Sequence, residues 1–155
     1  MQCACQQADL SRALTIVNRA VSSKPTLPIL SNVLITAQAG RLILTGYDLE
    51  IGIRTEVPIQ ADLTKSQRSV AVPAKVMQEM VNAIGEGEIS LDLTENHDLV
   101  LSSSRGQFTL RGAPGEDYPD FPSFTEADGK EAPRSFEIVA RELLGGLKRT
   151  IFATA

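Results

Sequence analysis

Two prolines three residues apart, Pro25 and Pro28, restrict the backbone of this chain more than any other feature of its sequence. Proline has a fixed φ and no amide hydrogen, so this pair is excluded from a helix interior and from a central strand. Each proline also favours extended backbone at the residue before it, Lys24 or Leu27. The sequence therefore predicts a stiff, nearly extended bridge between a helix and a strand, with Lys24 on the surface.

The composition is typical of a folded domain that does not cross a membrane. Of the 155 residues 43% are hydrophobic, which is enough to bury a substantial core. There is no run of about 18 apolar residues, so we expect no membrane partner. The N-terminus lacks the basic start and apolar middle of a signal peptide. We therefore expect a cytoplasmic protein.

Cys3 and Cys5 are the only cysteines, and His97 is the only histidine. Two residues apart on a strand, the cysteines point to the same face, and a disulfide across one intervening residue would be strained. A metal site needs more ligands than these, and His97 falls in a predicted turn. We therefore expect buried or half-buried thiols and no cofactor.

Hydrophobic periodicity predicts two similar halves, each with one helix. The first helix is expected to begin after an N-cap at Asp9, and the second to have Pro73 as its first residue. Alternating residues predict strands at 1–6, 31–36, 41–45, 49–57, 68–72, 88–93, 98–102 and 107–111. This order of elements predicts the α+β class.

The chain is expected to divide into three segments. These are a domain at 1–113, an acidic, proline-rich linker at 114–134 and the truncated start of a second domain at 135–155. The linker prediction depends on six acids between Glu116 and Glu131. After it the pattern restarts with a short strand at Phe136–Ile138 and a helix capped by Glu142. The chain is therefore expected to be part of a longer protein.

Positive charge is concentrated near the first helix although the net charge is −4. Between Leu10 and Leu30 there are three basic residues and no acid. Arg12 and Arg19 share one helix face, about 10 Å apart at a rise of about 1.5 Å per residue. Lys24 follows this helix and Lys75 opens the second one. Two interpretations remain open: weak, sequence-neutral contact with a polyanion, or an ordinary solvated face.

The acidic pair Asp48 and Glu50 is the best candidate for a catalytic or metal site. Two residues apart at a strand entrance, the two carboxylates could share a face and hold a divalent metal. An aspartate after Gly46-Tyr47 more often orders a turn by accepting backbone amides. A small metal-dependent enzyme and a protein-interaction module are therefore the alternative functions.

Four motifs, in order, resemble the family of bacterial sliding clamps, the β subunits of DNA polymerase III. The motifs are Lys24–Leu30 continuing into 32–34, Leu44–Glu50, Val72–Lys75 and Asp117–Pro122. The resemblance covers essentially the whole chain. It implies a DNA-clamp fold, in which two helices pack on one face of a curved antiparallel sheet and the β-α-β-β-β halves are pseudo-duplicated.

The resemblance also implies a function without catalytic residues. A head-to-tail homodimer ring would enclose double-stranded DNA, with helices lining the hole, and would tether the polymerase topologically. DNA polymerase III core and the clamp loader would bind through domains that this chain lacks. The candidate DNA-binding residues are Lys24 and Lys75, which match basic positions of the family, and Arg12 and Arg19, which follow from the helix face. Arg105 matches a basic residue of the subunit interface, whereas Gln107 stands where a second basic residue is common.

Overall fold

The computed structural model describes residues 2–38, 40–61, 68–121 and 136–154, which belong to two compact units, Met1–Phe121 and Pro122–Ala155. The strands of the first unit are β1 (Gln2–Gln6), β2 (Asn32–Gln38), β3 (Arg41–Tyr47), β4 (Gly52–Pro58), β5 (Gln60–Ala61), β6 (Arg68–Pro73), β7 (Glu88–Leu93), β8 (Asp98–Ser103), β9 (Gly106–Arg111) and β10 (Ala113–Pro114). Its helices are α1 (Gln7–Val17) and α2 (Ala74–Ile84), and the second unit contains α3 (Ala140–Thr150). No helix in these segments combines the length and the apolarity that a membrane crossing requires.

The strands form two antiparallel sheets, in the orders β5-β1-β7-β8-β9 and β10-β6-β2-β3-β4. The first strands of the two halves, β1 and β6, are exchanged: β1 lies in the sheet with β7, β8 and β9, and β6 lies in the sheet with β2, β3 and β4. Thus β1 pairs with β7, with Cys3 opposite Leu91, and β6 pairs with β2, with Val72 opposite Val33. The α+β class is confirmed, but two sheets replace the single curved sheet, because alternation indicates which face of a strand is buried and not which strand it pairs with.

The duplication of the two halves extends to the helices. α1 and α2 both have 11 residues and begin 67 residues apart, at Gln7 and Ala74. Four buried positions of α1 match those of α2 in pairs, Gln7 with Ala74, Leu10 with Met77, Leu14 with Val81 and Val17 with Ile84. Equivalent residues of the two halves therefore have equivalent positions, which allows their chemistry to be compared one by one.

α3 has the same length and begins 66 residues after α2. Its Leu143 and Leu147 correspond to the buried Leu10 and Leu14 of α1, but they are 46% and 52% exposed. The short strand expected at Phe136–Ile138 is absent, since the described residues of this unit provide no partner strand.

The three helix starts differ from the predicted ones by a few residues. Asp9 and Glu142 are not N-caps but occupy the third position of α1 and α3, where a carboxylate still interacts favourably with the helix dipole. Pro73 ends β6 and immediately precedes α2. In the first unit each helix follows its strand without an intervening loop, so strand periodicity extends up to the first helical residue.

Both cysteines are buried, as predicted. Cys3 is 4% and Cys5 is 5% exposed, and both belong to the core that the helices form with the two sheets. Burial raises the pKa of the Cys3 thiol to about 11 and that of the Cys5 thiol to about 12. Both thiols are therefore protonated at neutral pH and are poor nucleophiles.

The proline bridge is extended at Leu27 and then turns. Leu27 has φ −114° and ψ 128°, as expected before proline, but Pro28 begins a 3₁₀ turn that ends at Ser31. The Ser31 hydroxyl donates a hydrogen bond to the Pro28 carbonyl over 2.7 Å. Leu30 is fully buried, so the bridge turns inward to anchor itself before β2.

The segment after β9 packs against the sheet that contains β2 and β3. The Tyr118 hydroxyl accepts a hydrogen bond from the Tyr47 amide over 3.1 Å and donates one to the Asn32 carbonyl over 3.3 Å. Phe121 makes an edge contact with the Tyr47 ring, and the Arg54 guanidinium lies 4.3 Å from the centre of the Phe121 ring. The first unit therefore extends to Phe121, beyond the boundary expected at 113, and the rest of the expected linker lies outside the described residues.

Replacing Tyr118 with phenylalanine is expected to lower the free energy of unfolding by about 1–3 kcal/mol, because it leaves the Tyr47 amide and the Asn32 carbonyl without their partner. The loss is measured as a lower midpoint of urea unfolding, with an unchanged m value, which is the slope of the unfolding free energy against urea concentration. Tyr47→Phe is the control, since among the described residues its hydroxyl bonds only the exposed Leu49 carbonyl. Equal losses in the two variants would contradict the bridging role of Tyr118.

Candidate nucleic-acid interface

α1 and α2 lie side by side and run antiparallel. The Ser11 hydroxyl, in the first half of α1, donates to the Asn82 side chain near the end of α2 over 2.8 Å. Asn18, just after α1, donates to the carbonyl of Ala74, the first residue of α2, over 3.4 Å. The end of α1 therefore lies beside the start of α2.

Polar side chains join the two helices along this line. Gln78 donates to Asn82 over 3.1 Å and contacts Ser11, Thr15 and Asn18 at 3.5 Å. The sequence predicts Ser11, Thr15 and Asn18 on one polar face together with the arginines. In the structure these small residues connect the helices to each other, which leaves the longer cationic side chains to face solvent.

The helix side opposite the core is exposed on both helices. On α1 and the 3₁₀ turn that extends it, the exposed residues are Ala8, Arg12, Thr15, Ile16 and Arg19. On α2 they are Lys75, Val76, Glu79, Asn82 and Ala83. We call these ten residues the outer helix face. Arg12, Arg19 and Lys75, three of the four predicted DNA-binding residues, lie on it.

The antiparallel arrangement brings Arg19 and Lys75 to the same end of the helix pair, since their neighbours Asn18 and Ala74 are hydrogen-bonded. Lys24 is exposed and follows four residues after the turn that ends at Ala20. Within the described residues none of these three cations forms an ion pair. Arg19 and Lys75 are therefore free to bind an external anion at this end, and Lys24 is free to bind one after it in the chain.

Arg12 lies toward the other end of the outer helix face and is partly neutralised. Its guanidinium is 3.9 Å from the Asp9 carboxylate, and its side chain is 75% exposed. An exposed ion pair of this length contributes little to stability. Arg12 can therefore exchange Asp9 for a phosphate at small cost.

Arg105 lies away from this face, in the turn between β8 and β9. Its backbone amide donates to the Ser103 hydroxyl over 3.2 Å. Its guanidinium packs over Gly85, which follows α2 and has φ +78°. A cation there interacts favourably with the helix C-terminus. Arg105 also lies beside β9, the last strand of its sheet, which includes Gln107.

Asp48 and Glu50 do not form an acidic pair site. One carboxylate oxygen of Asp48 accepts the amides of Glu50 over 3.0 Å and of Ile51 over 2.7 Å. These bonds, that of Ile51 first, hold the pKa of Asp48 below its usual range. The turn also leaves Ile51, which belongs to the strand predicted at 49–57, 57% exposed, and β4 begins only at Gly52. The interpretation of Asp48 as a residue that orders a turn by accepting backbone amides is confirmed.

Gln78, Asn82 and Glu79 are not among the residues that the sequence predicts for this site. The spacing of Gln78 and Asn82, four residues apart, places both on one side of a helix. No signal in the sequence indicates that this side faces α1. Glu79 is exposed, and its position on the outer helix face becomes apparent only when the two helices are placed together.

Comparisons with known proteins agree with this architecture. Residues 1–122 match the family model described as DNA polymerase III beta subunit, N-terminal domain. The "Beta sliding clamp" of Synechocystis sp. is 34% identical over 100% of this chain and 39% of its own length. That of Pseudomonas aeruginosa is 30% identical over 97% of this chain and 39% of its length.

Solved structures show the same similarity. The crystal structure of the DNA polymerase III subunit beta from Pseudomonas aeruginosa matches with a TM-score of 0.80 at 28% identity, covering 98% of this chain and 39% of that one. The sliding clamp of Caulobacter crescentus matches with a TM-score of 0.73 at 31% identity, covering 81% of this chain and 34% of that one. The chain thus spans about two fifths of the length of these relatives. It belongs to the DNA polymerase III beta subunit family, and residues 1–122 are the N-terminal domain of that family.

Proposed function

We propose that this chain is a module of a DNA-encircling sliding clamp, a non-catalytic processivity factor, and that its outer helix face lies against duplex DNA. The observation that carries the proposal is that Arg19 and Lys75 lie at one end of that face, that Lys24 follows Ala20 by four residues, and that none of the three forms an ion pair among the described residues. Family membership supports it, because the relatives named above are called beta sliding clamps.

The chemistry of the outer helix face suits weak, sequence-independent binding to DNA. Its cations can bind phosphate oxygens, which carry no sequence information. It has no aromatic residue on which an unpaired base could stack. Each phosphate that a protein neutralises adds a strongly salt-dependent increment of affinity. A few cations therefore attract the duplex without fixing it at one position, which is the property that sliding requires.

Ring closure requires contacts outside the helix face. β9 and β4 end the two sheets, and an edge strand presents unpaired backbone groups that can pair with a strand of another domain or subunit. We assign the subunit contact of a homodimer ring to the β9 edge with Arg105 beside it. Contacts with DNA polymerase III core and the clamp loader we assign to regions of the ring outside this chain.

Topological binding can be tested on circular DNA. A clamp that contains this chain, assembled on a nicked circular plasmid, is expected to stay with the plasmid during gel filtration and to be lost after one restriction cut, since a ring leaves only over an end. A plasmid cut in the same way but with both ends blocked by bound protein is the control, and it should retain the clamp. If release were equally fast from intact and cut circles, the proposal would be wrong.

A further inference from the structure

The two halves of the first unit carry opposite charges at equivalent positions. The spacing of 67 residues that relates α1 to α2 places Glu79 at the position of Arg12 and Glu86 at that of Arg19. All four residues are exposed. A surface selected only for attraction to DNA would carry cations on both helices, so Glu79 on α2 and Glu86 just after it require an explanation.

Glu79 lies within the outer helix face and not at its margin. It follows Gln78, which contacts Thr15 in the middle of α1 at 3.5 Å. It lies one helical turn after Lys75, on the same side of α2. No cation among the described residues lies within ion-pair distance of its carboxylate. Its negative charge is therefore exposed and uncompensated.

A role in helix stability does not account for Glu79. The pair Lys75–Glu79 has the lysine on the N-terminal side, which is the less favourable orientation for residues four apart. The carboxylate is in the second turn of α2 and has no hydrogen-bond partner among the described residues. Its effect is therefore expected outside the protein, on a charged partner.

We propose that Glu79 limits the affinity of the outer helix face for duplex DNA. A duplex that touches both helices brings phosphates close to the Glu79 carboxylate, and like charges repel. Contact is then strongest at the end with Arg19, Lys24 and Lys75 and weak along the rest of α2. This inference rests on the proposed function and names a residue that keeps the affinity for duplex DNA low.

The test is the affinity of the chain for a short fluorescent duplex, measured by anisotropy over a range of salt concentrations. Glu79→Gln, which keeps size and polarity, is expected to lower Kd about threefold at about 50 mM salt, the effect of one exposed charge. The difference should vanish at about 1 M salt, where the Debye length is about 3 Å. Glu95→Gln, in the exposed turn between β7 and β8, is the matched control and should leave Kd unchanged.

A third variant separates failure of this inference from failure of the proposed function. It replaces Arg19, Lys24 and Lys75 with glutamine. If it loses duplex binding while Glu79→Gln binds as the wild type does, the role of Glu79 is refuted and the DNA-facing surface stands. If the triple variant also binds like the wild type, the proposed surface itself is wrong. Tightening by Glu95→Gln as large as that by Glu79→Gln would mean that only net charge matters, which also overturns the inference.

Discussion

Simultaneous replacement of Arg19, Lys24 and Lys75 with glutamine is expected to weaken duplex binding by about 10- to 100-fold at low salt. Each phosphate contact contributes about 0.9 to the slope of log K against log salt, so three lost contacts reduce the slope by about 2.7. All three side chains are exposed and unpaired among the described residues. The free energy of unfolding should therefore stay within about 0.5 kcal/mol of the wild type.

The control for this variant replaces three strand arginines with glutamine, Arg41 on β3, Arg68 on β6 and Arg111 on β9. It makes the same change in net charge away from the outer helix face. Anisotropy titrations over the same salt series compare the two triple variants. If both lost the same affinity and the same slope, binding would depend on net charge and not on the helix end, contrary to the expectation.

The sequence predicts the individual elements better than their assembly. β7 is predicted at 88–93 and is found there, and most buried helix residues follow from helical spacing. The exception is Val76, which spacing predicts on the apolar stripe of the second helix but which is exposed. Such patterns are local, because each residue's face depends only on its neighbours along the chain. The exchange of β1 and β6 between the sheets is not local. It depends on which edges meet after the chain has folded, and periodicity contains no information on that.

In the candidate site, too, the features within one helix are predicted from the sequence, and those that depend on how the helices pack are not. Arg12 and Arg19 are predicted on one face because they are seven residues, or about two helical turns, apart in sequence. The proximity of Arg19 to Lys75 depends on the antiparallel packing of α1 and α2, which the hydrogen bond from Asn18 to Ala74 reveals. The small polar residue Ser11 belongs by its spacing to the same polar helix side as the arginines, but its hydroxyl bonds α2.

Gly46→Ala is expected to lower the free energy of unfolding of the first unit. Gly46 is on β3 beneath the end of α1, and an added Cβ would lie 2.5 Å from the Val17 carbonyl oxygen and 3.1 Å from a methyl group of Val21. The backbone oxygen cannot rotate away as a side chain can, so α1 must move off the sheet. Overpacking of this kind typically costs about 1–3 kcal/mol, and occasionally more.

The same movement should also affect the candidate interface. Val17 ends α1 and is followed by Asn18, which positions the end of this helix beside Ala74. A shifted α1 would separate Arg19 from Lys75, so Gly46→Ala should weaken duplex binding even in the folded fraction. Urea unfolding measures the first effect and anisotropy at low salt the second.

Gly146→Ala is the matched control for this prediction. Gly146 is inside α3, a Cβ added to it would have no neighbouring atom within 4 Å, and alanine is favoured over glycine in a helix by about 1 kcal/mol. The same chemical change should therefore leave the first unit unaffected and favour α3. If Gly46→Ala unfolded at the urea concentration of the wild type, α1 could not lie as close to β3 as the structure requires, and the geometry that joins Arg19 to Lys75 would have to be abandoned with it.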